Sequence, residues 1–415
     1  MIEWNEQHLM LRDAIRSFVE KEIKPNLEEL EHGDTPPYDV LRKMMRTFGI
    51  DAMAKQRFER QMKRDKAAAE AKASGQTQPP EERFEEAGST DGAAMQLIPI
   101  IELCRYCPGM VTAMGVSVGL TAGAIMAKGT IRQKERWAAP LLTMEKIGAW
   151  AITEPGSGSD AFGSMVSTAK RKGDGYVLNG SKTFITNGPY ADTIVFICKL
   201  DEGNEPRERK VVSFILDKGM AGLTQSKPLR KMGNHSSPTG QLFLEDVVVE
   251  KERLIGESEE AAGGRSGAKA TFGVERTGVA AMALGIVEQC LMLCVDYAKT
   301  RVQFGRPIGE FQLIQLKLAK MEVARMNLQN IVFRQIEMSA AKKPMTFAEA
   351  SACKLYAAQA AMDVTIEAVQ LFGGNGYMAE YQVEQLCRDS KVLQIYAGTD
   401  EIQVSQIARS LLGAS

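Results

Sequence analysis

Apolar residues return at three- and four-residue steps near the start of the chain, in Leu9-Met10-Leu11, Ile15, Phe18-Val19 and Ile23, which marks one face of a helix. Pro36-Pro37 interrupts that rhythm, because proline has no backbone donor. From Lys55 to about Ser89 the pattern gives way to charge, Ala and Gln around Gly75-Gln76-Thr77-Gln78-Pro79-Pro80, which reads as a solvated helix followed by a loop. Helical apolar segments resume near Ala93 and continue to Met144.

After Gly148 the period shortens to two, or to brief β-branched runs: Tyr176-Val177-Leu178, Thr193 to Ile197, Val211 to Ile215, Leu242-Phe243-Leu244 and Val247-Val248-Val249. Turn clusters such as Asn179-Gly180, Asn187-Gly188-Pro189 and Asp217-Lys218-Gly219 bound them, which predicts a small antiparallel barrel or sandwich. Long helical patterns return at about 270–302, 311–342, 346–372 and 381–412, and short connections between them predict an antiparallel bundle. The expected fold is mainly α with a central β domain, an α+β arrangement: an N-terminal helical domain over 1–145 with a charged insertion at about 52–90, a middle β-barrel or sandwich over 146–260, and a C-terminal four-helix bundle over 261–415.

Composition narrows the chemistry. Hydrophobic residues at 44% and charged residues at 25% fit an ordinary globular protein. With 51 basic against 52 acidic residues there is no cationic field to gather nucleic acid. No apolar run of bilayer-crossing length is expected, and the start, MIEWNEQHLMLRD, is acidic where a leader would be basic, which points to the cytoplasm. Seven cysteines, irregularly spaced, are expected to be reduced and structural, the Cys104–Cys107 pair included. The three histidines, His8, His32 and His235, form no metal motif, and neither a G-x-S-x-G elbow nor a P-loop is present, so no metal site is expected. The reactive group must then come from a cofactor.

Four segments carry candidate chemistry. Thr153-Glu154-Pro155-Gly156-Ser157-Gly158-Ser159-Asp160 is a run of small residues whose N–H groups can surround an anion, and read alone it is equally a surface turn. Lys182-Thr183-Phe184-Ile185-Thr186-Asn187 offers an aromatic and a hydroxyl to a flat ring, or is an ordinary strand. Gln370-Leu371-Phe372-Gly373-Gly374-Asn375-Gly376-Tyr377 ends a helix with glycines that permit close approach or merely cap it. In Gln394 to Ile402, Thr399 can cap a last helix with Glu401 in its first turn.

In this order and at these separations, TEPGSGSD, KTFITNG, KMGNHSSPT, TRVQFGRPIGEFQ, QLFGGNGY and YAGTDEIQ closely resemble the acyl-CoA dehydrogenase family of flavoproteins, over nearly everything from Met110 to the C terminus. The resemblance implies FAD as cofactor, an acyl-CoA substrate desaturated to a trans-2-enoyl-CoA, an electron-transferring flavoprotein as acceptor, and a homotetramer or at least a dimer. It assigns Trp150, Ile152, Thr153, Gly158 and Ser159 to the flavin and its ribityl-phosphate arm, with Ser159 also near substrate, and Phe184, Ile185 and Thr186 to the isoalloxazine. Arg301, Gln303, Gln312, Gln370, Leu371, Phe372, Gly373 and Gly374 would hold the adenine end across a subunit boundary, and Thr399 and Glu401 would complete the site.

Removing an α-proton while a hydride leaves the β-carbon requires a carboxylate. Many members place it immediately before the Gly-Thr of the last motif, where this chain has Ala397. A minority carry it on the first long helix of the C-terminal domain before an Arg, which aligns with Glu275 and Arg276. The resemblance then implies Glu275 as base, the Ala397 backbone N–H as a donor to the thioester carbonyl, and Arg276 and Gly398 as substrate contacts. Two alternatives share these residues: an acyl-CoA oxidase-like enzyme using O2, and a non-catalytic acyl-CoA or FAD-binding partner subunit.

Overall fold

The computed structural model of the protein describes residues 3–74, 90–262, 265–343 and 345–413, with 72–73, 261–262, 265–275 and 277 described by their backbone alone. Helix α1, Glu6–Phe18, begins where the Asn5 side chain accepts from the His8 N–H and the His8 ring faces the Asn5 N–H in return, a reciprocal cap that satisfies two orphan donors. Helix α2, Ile50–Ala73, buries Met62 and leaves most of its charged residues exposed, as the polar pattern predicts. Ion pairs from Lys134 to Asp65 (2.6 Å) and Lys66 to Glu135 (2.7 Å) tie it to the following helices. The loop expected after it, residues 75–89, lies outside the described residues.

Helix α3, Thr90–Cys104, delivers Cys104 and then Cys107 into the core, where burial drives both thiols well above their ordinary pKa. All seven cysteines are free. The expectation about apolar length needs correction: the helical stretches Pro108–Lys128 and Gly278–Thr300 are both long and apolar enough to cross a bilayer. Their apolarity goes into packing, most clearly in the second, 67% of whose most apolar window is buried inside the protein.

The middle of the chain forms one seven-stranded sheet from β1 (Gly148–Ala151), β2 (Thr168–Lys172), β3 (Gly175–Thr186), β4 (Thr193–Leu200), β5 (Val211–Asp217), β6 (Leu223–Gln225) and β7 (Thr239–Val249). Its hairpin-like neighbours β2/β3, β3/β7, β4/β5 and β6/β7 are antiparallel, as the turn clusters predict. β1 and β2 instead run parallel to β4 and lie end to end along one of its edges, β1 against Thr193 to Phe196 and β2 against Lys199 and Leu200. Every residue of β4 is buried, because strands cover both its edges and side chains both its faces. The Thr153 segment is the excursion between those two short strands.

Four helical stretches close the chain, but the fourth is divided. Helix α4, Arg265–Thr300, packs against α3, α5 (Gln312–Ala340) and α6 (Phe347–Phe372). A Cβ on Gly285 would strike the Ile101 carbonyl, so the glycine is what lets α4 approach α3. The stretch expected as one helix over 381–412 is split into α7, Val383–Ser390, and α8, Asp400–Leu411. Between them Ala397 (φ +53°) and Gly398 (φ +89°) take left-handed conformations that no helix continues through.

Where the three parts meet, His235 sets one ring nitrogen 2.6 Å from the Glu31 carbonyl and the other 2.8 Å from the Lys231 carbonyl. Asp389 accepts from the Asn234 N–H at 2.5 Å, and Lys231 reaches the carbonyls of Asn234 and Ser237. Burial and neighbouring Asp389 push the Glu31 carboxyl up to about 8, and burial brings Lys231 down to about 8.

Candidate functional site

The Thr153 excursion is held from beneath. Glu154 and Ser157 exchange backbone hydrogen bonds at 3.0 Å, closing a tight turn, and the Ser157 hydroxyl donates to the Asp160 carbonyl. The Glu154 carboxylate turns inward and accepts from the N–H groups of Val166 and Ser167 and from Lys182 Nζ at 2.8 Å. Lys182 also donates to the Ile152 carbonyl, and the Thr183 N–H donates to the Thr153 carbonyl. Burial alone would raise the Glu154 carboxyl, but the Lys182 charge and these donors outweigh it and hold it below its ordinary value. With the backbone so anchored, Gly158 and Ser159 stand exposed, and a Cβ on Gly156 or Gly158 would meet nothing within 4 Å.

On β3 the register against β7 shifts between Lys182 and Ile185, and Phe184 sits in that irregularity at φ +56°. The bulge turns its ring outward, 70% exposed, while Lys182 and Ile185 on either side point into the core. Thr186 is half-buried, and Trp150 is half-buried on neighbouring β1. Asn187 locks the end of the strand: its amide donates to the Ala113 and Gly148 carbonyls and accepts from the Tyr38 hydroxyl, joining three segments. Thus the first two sequence motifs come together as one platform.

A second group lies at the far end of α4. Tyr297 stacks on Phe372 with ring centroids 4.1 Å apart, and its hydroxyl accepts from Asn375. This puts the Arg301 and Gln303 segment beside Gln370 and the glycines 373 and 374. Arg301, Gln303, Gln312, Gln370, Gly373 and Gly374 are exposed, and the Arg301 guanidinium has no ion-pair partner among the described residues. Leu371 and Phe372 are buried in the bundle core, so they can offer a ligand backbone rather than side chain. The β8–β9 hairpin, Val302–Gln303 with Arg306–Pro307, carries Phe304 at its tip, 94% exposed.

The third group surrounds Ala397. Thr399 caps α8 by accepting from the Ile402 N–H, and Glu401 in the first turn is exposed, held below its ordinary pKa by its own N–H and by Thr399. The Ala397 carbonyl accepts from Arg276 Nε (3.4 Å) and Gln403 Nε2 (3.1 Å), and the latter also reaches the Gly398 carbonyl at 2.8 Å. Arg276 is buried, donates to the Ser351 hydroxyl at 3.0 Å and lies 4.0 Å over the Phe347 ring. It therefore grips protein rather than projecting into open space. The Glu275 backbone belongs to α4 one residue before it, and the Glu275 side chain lies outside the described residues. Among the described residues no group accepts a hydrogen bond from the Ala397 N–H.

Three family models cover nearly the whole chain: the acyl-CoA dehydrogenase N-terminal domain over residues 5–56 and 50–145, the middle domain over 149–247 and the C-terminal domain over 262–412. The chain belongs to the acyl-CoA dehydrogenase family. A short-chain specific acyl-CoA dehydrogenase of Megasphaera elsdenii is 39% identical over 80% of this chain and 85% of that protein. A 3-(aryl)acrylate reductase of Clostridium sporogenes is 35% identical over 99% of both. Among solved structures, a chain of the one described as electron transferring flavoprotein of Acidaminococcus fermentans is 33% identical, with 99% of each chain covered and a TM-score of 0.78.

Acyl-CoA dehydrogenases are FAD-dependent oxidoreductases, and this protein is an FAD-dependent enzyme of acyl-CoA α,β-dehydrogenation. Its own residues fit the cofactor. An exposed aromatic beside a hydroxyl suits a flat ring, an open small-residue turn suits a phosphate arm, and an exposed guanidinium fork suits a diphosphate. The motifs named every exposed part of these surfaces. They did not reveal the roles of Lys182, Asn187 or Arg276, whose partners lie far away in sequence, or of Gln403, whose partners are close in sequence but are brought to it by the fold of the preceding loop.

Proposed function

We propose that this acyl-CoA dehydrogenase acts on short-chain acyl-CoA thioesters, with Glu275 as the base, the Ala397 N–H as a donor to the thioester carbonyl and an electron-transferring flavoprotein as acceptor. The observation that carries the reading is the contact between Arg276 and the Ala397 carbonyl, 121 residues apart, which sets the segment bearing Glu275 against the loop whose N–H has no acceptor among the described residues. Bound FAD supplies the hydride acceptor. Trp150, Thr153, Ser159, Phe184 and Thr186 would hold its flavin end, and Arg301, Gln303, Gln312 and the 370–374 backbone its adenine end.

The work of this chain is then to place the acyl group and take one proton. A donor aimed at the carbonyl oxygen stabilises the enolate-like charge that grows there as the α-proton leaves, and a backbone N–H does so whatever side chain it carries. Glu275 takes that proton to its carboxylate, replacing the acid that position 397 lacks. The short-chain preference rests on the Megasphaera relative, and the acceptor on the flavoprotein structure whose chain this one resembles. Exposed Val302, Phe304, Leu313 and Leu316 beside Arg301 and Gln312 support assembly into a homotetramer, since such a patch is unusual on a lone surface. Seven free thiols support a reducing compartment, the cytoplasm.

The test is anaerobic titration of the flavin with acyl-CoAs of graded length, for wild type and Glu275→Gln. Wild type should bleach fastest with four-carbon chains. The variant should keep FAD and ligand binding while turnover falls about 10²–10⁴-fold, the range for a lost general base. Normal turnover in the variant would refute the assignment of the base, and a yellow wild type that no acyl-CoA bleaches would make the protein a binding subunit.

A further inference from the structure

We infer that Gln403 is a positioning residue for the substrate thioester, acting through the Ala397–Gly398 backbone. The inference rests on the reading that the Ala397 N–H receives the thioester carbonyl. That N–H sits on one side of the Ala397 Cα, and the clamped carbonyl sits on the other. Two rotations, φ and ψ of Ala397, separate them, and holding the carbonyls of Ala397 and Gly398 together restrains both, and with them the direction in which the donor points.

The need for a clamp follows from the backbone. Ala397 at φ +53° and Gly398 at φ +89° are consecutive left-handed residues, and an alanine left to itself relaxes out of that region. Gln403 meets the need with one group: its Nε2 donates to both carbonyls, at 3.1 and 2.8 Å. The orientation of the amide is dictated, since its oxygen would face two acceptors if reversed. The other end of the side chain is informative too. Gln403 is fully buried, and its Oε1 has no hydrogen-bond partner among the described residues. A buried acceptor left unmatched opposes folding, whereas an apolar side chain of the same shape would incur no such cost, so the two bonds made by the nitrogen give the amide its use.

Gly398 is what allows the approach: a Cβ there would lie 2.7 Å from Gln403 Nε2 and 3.4 Å from Arg276 Nη2. Arg276 closes the same carbonyl from the other side with a longer contact, fixed in turn by Ser351 and Phe347. Gln403 itself is held in the first turn of α8, where the Thr399 cap and a Lys354–Asp400 ion pair at 3.2 Å anchor the helix start. The clamp thus couples a helix terminus to the direction of one donor.

The experiment uses the FAD-loaded protein with butyryl-CoA for turnover and carbonyl-labelled crotonyl-CoA for infrared spectra of the bound thioester. In wild type the carbonyl stretch should move to lower frequency on binding. Gln403→Leu should retain FAD and a KM within about threefold, lose about ten- to a hundredfold in kcat, less than removal of the donor itself, and lose much of the carbonyl shift. Gln403→Glu gives a second handle that survives any packing defect. Its protonated form donates one hydrogen bond and its carboxylate none, so its kcat relative to wild type should rise as pH falls. A wild type with no carbonyl shift would remove the underlying reading of Ala397. A shifted wild type matched by an equally shifted and equally fast Gln403→Leu, or a flat pH ratio for Gln403→Glu, would overturn the role of Gln403 alone.

Discussion

Lys182 and Glu154, 28 residues apart in sequence, form an ion pair at 2.8 Å with both side chains withdrawn from solvent. One belongs to the strand that carries Phe184 and the other to the loop that carries Ser159, so the two halves of the proposed flavin platform are joined by a charge pair that solvent does not screen. Removing one partner strands the other in a medium that cannot solvate it. Lys182→Met should lower unfolding stability by about 3–5 kcal/mol and release FAD, as measured by denaturant titration and flavin fluorescence. Lys182→Met with Glu154→Leu should recover part of the stability. Because Glu154 is held below its ordinary value of 4.5, its contribution is complete above that pH and should fade as acid carries the protein below it.

At the three-part junction the sign is reversed. The Glu31 carboxyl is raised from 4.5 to about 8, by burial first and by Asp389 second, while Arg388 opposes the shift; Lys231 and His235 line the same junction. The folded state therefore holds a proton that the unfolded chain releases, and wild type should lose stability as pH rises from about 4.5 to about 8. Glu31→Gln removes this dependence. The melting temperature of the variant minus that of wild type should grow across the window and level off above it, and a constant difference would show that Glu31 is ionised throughout.

Arg301 presents five donors on a rigid fork with no acidic partner among the described residues. Arg301→Ala should weaken FAD binding by about ten- to a hundredfold, the equivalent of one charge-assisted hydrogen bond, when apoprotein is titrated with FAD. Arg301→Lys should fall between, since it keeps charge and loses the fork.

Ala397 has a methyl group in a region of φ and ψ that favours glycine. Ala397→Gly should therefore raise stability by about 0.5–1 kcal/mol in chemical denaturation, relief of strain exceeding the entropy gained by the unfolded chain. It should also lower kcat severalfold, because a glycine leaves the donor less firmly aimed. A gain in stability together with unchanged kcat would mean that the conformation matters only for folding.

The order of helices, strands and helices was legible because each part carries its own period, and the exposed residues of the candidate surfaces could be named because glycines, hydroxyls and aromatics cluster in recognisable runs. What the sequence concealed are contacts that depend on the folded backbone rather than on a run of neighbouring residues. Gln403 reads as one more polar residue on an amphipathic helix, and only the fold of the preceding loop brings two carbonyls to its amide. The pattern over 381–412 looks continuous because α7 and α8 share an apolar rhythm, whereas the break depends on two φ angles. The parallel placement of β1 and β2 was equally hidden, since periodicity reveals a strand but not its neighbour. Arg276, expected at the substrate, is engaged in bracing Ala397.

β1 and β2 fasten to successive portions of a single edge of β4, and the segment bearing Ser159 leaves that edge after Ala151, opposite Phe196, and rejoins it at Thr168, opposite Lys199. A loop moored this way resembles a handle riveted to one rail. Residues can be added to its bow, or exchanged there, without moving the pairing of any strand, so evolution and the protein engineer alike are free to reshape what it grasps while the rail stays straight.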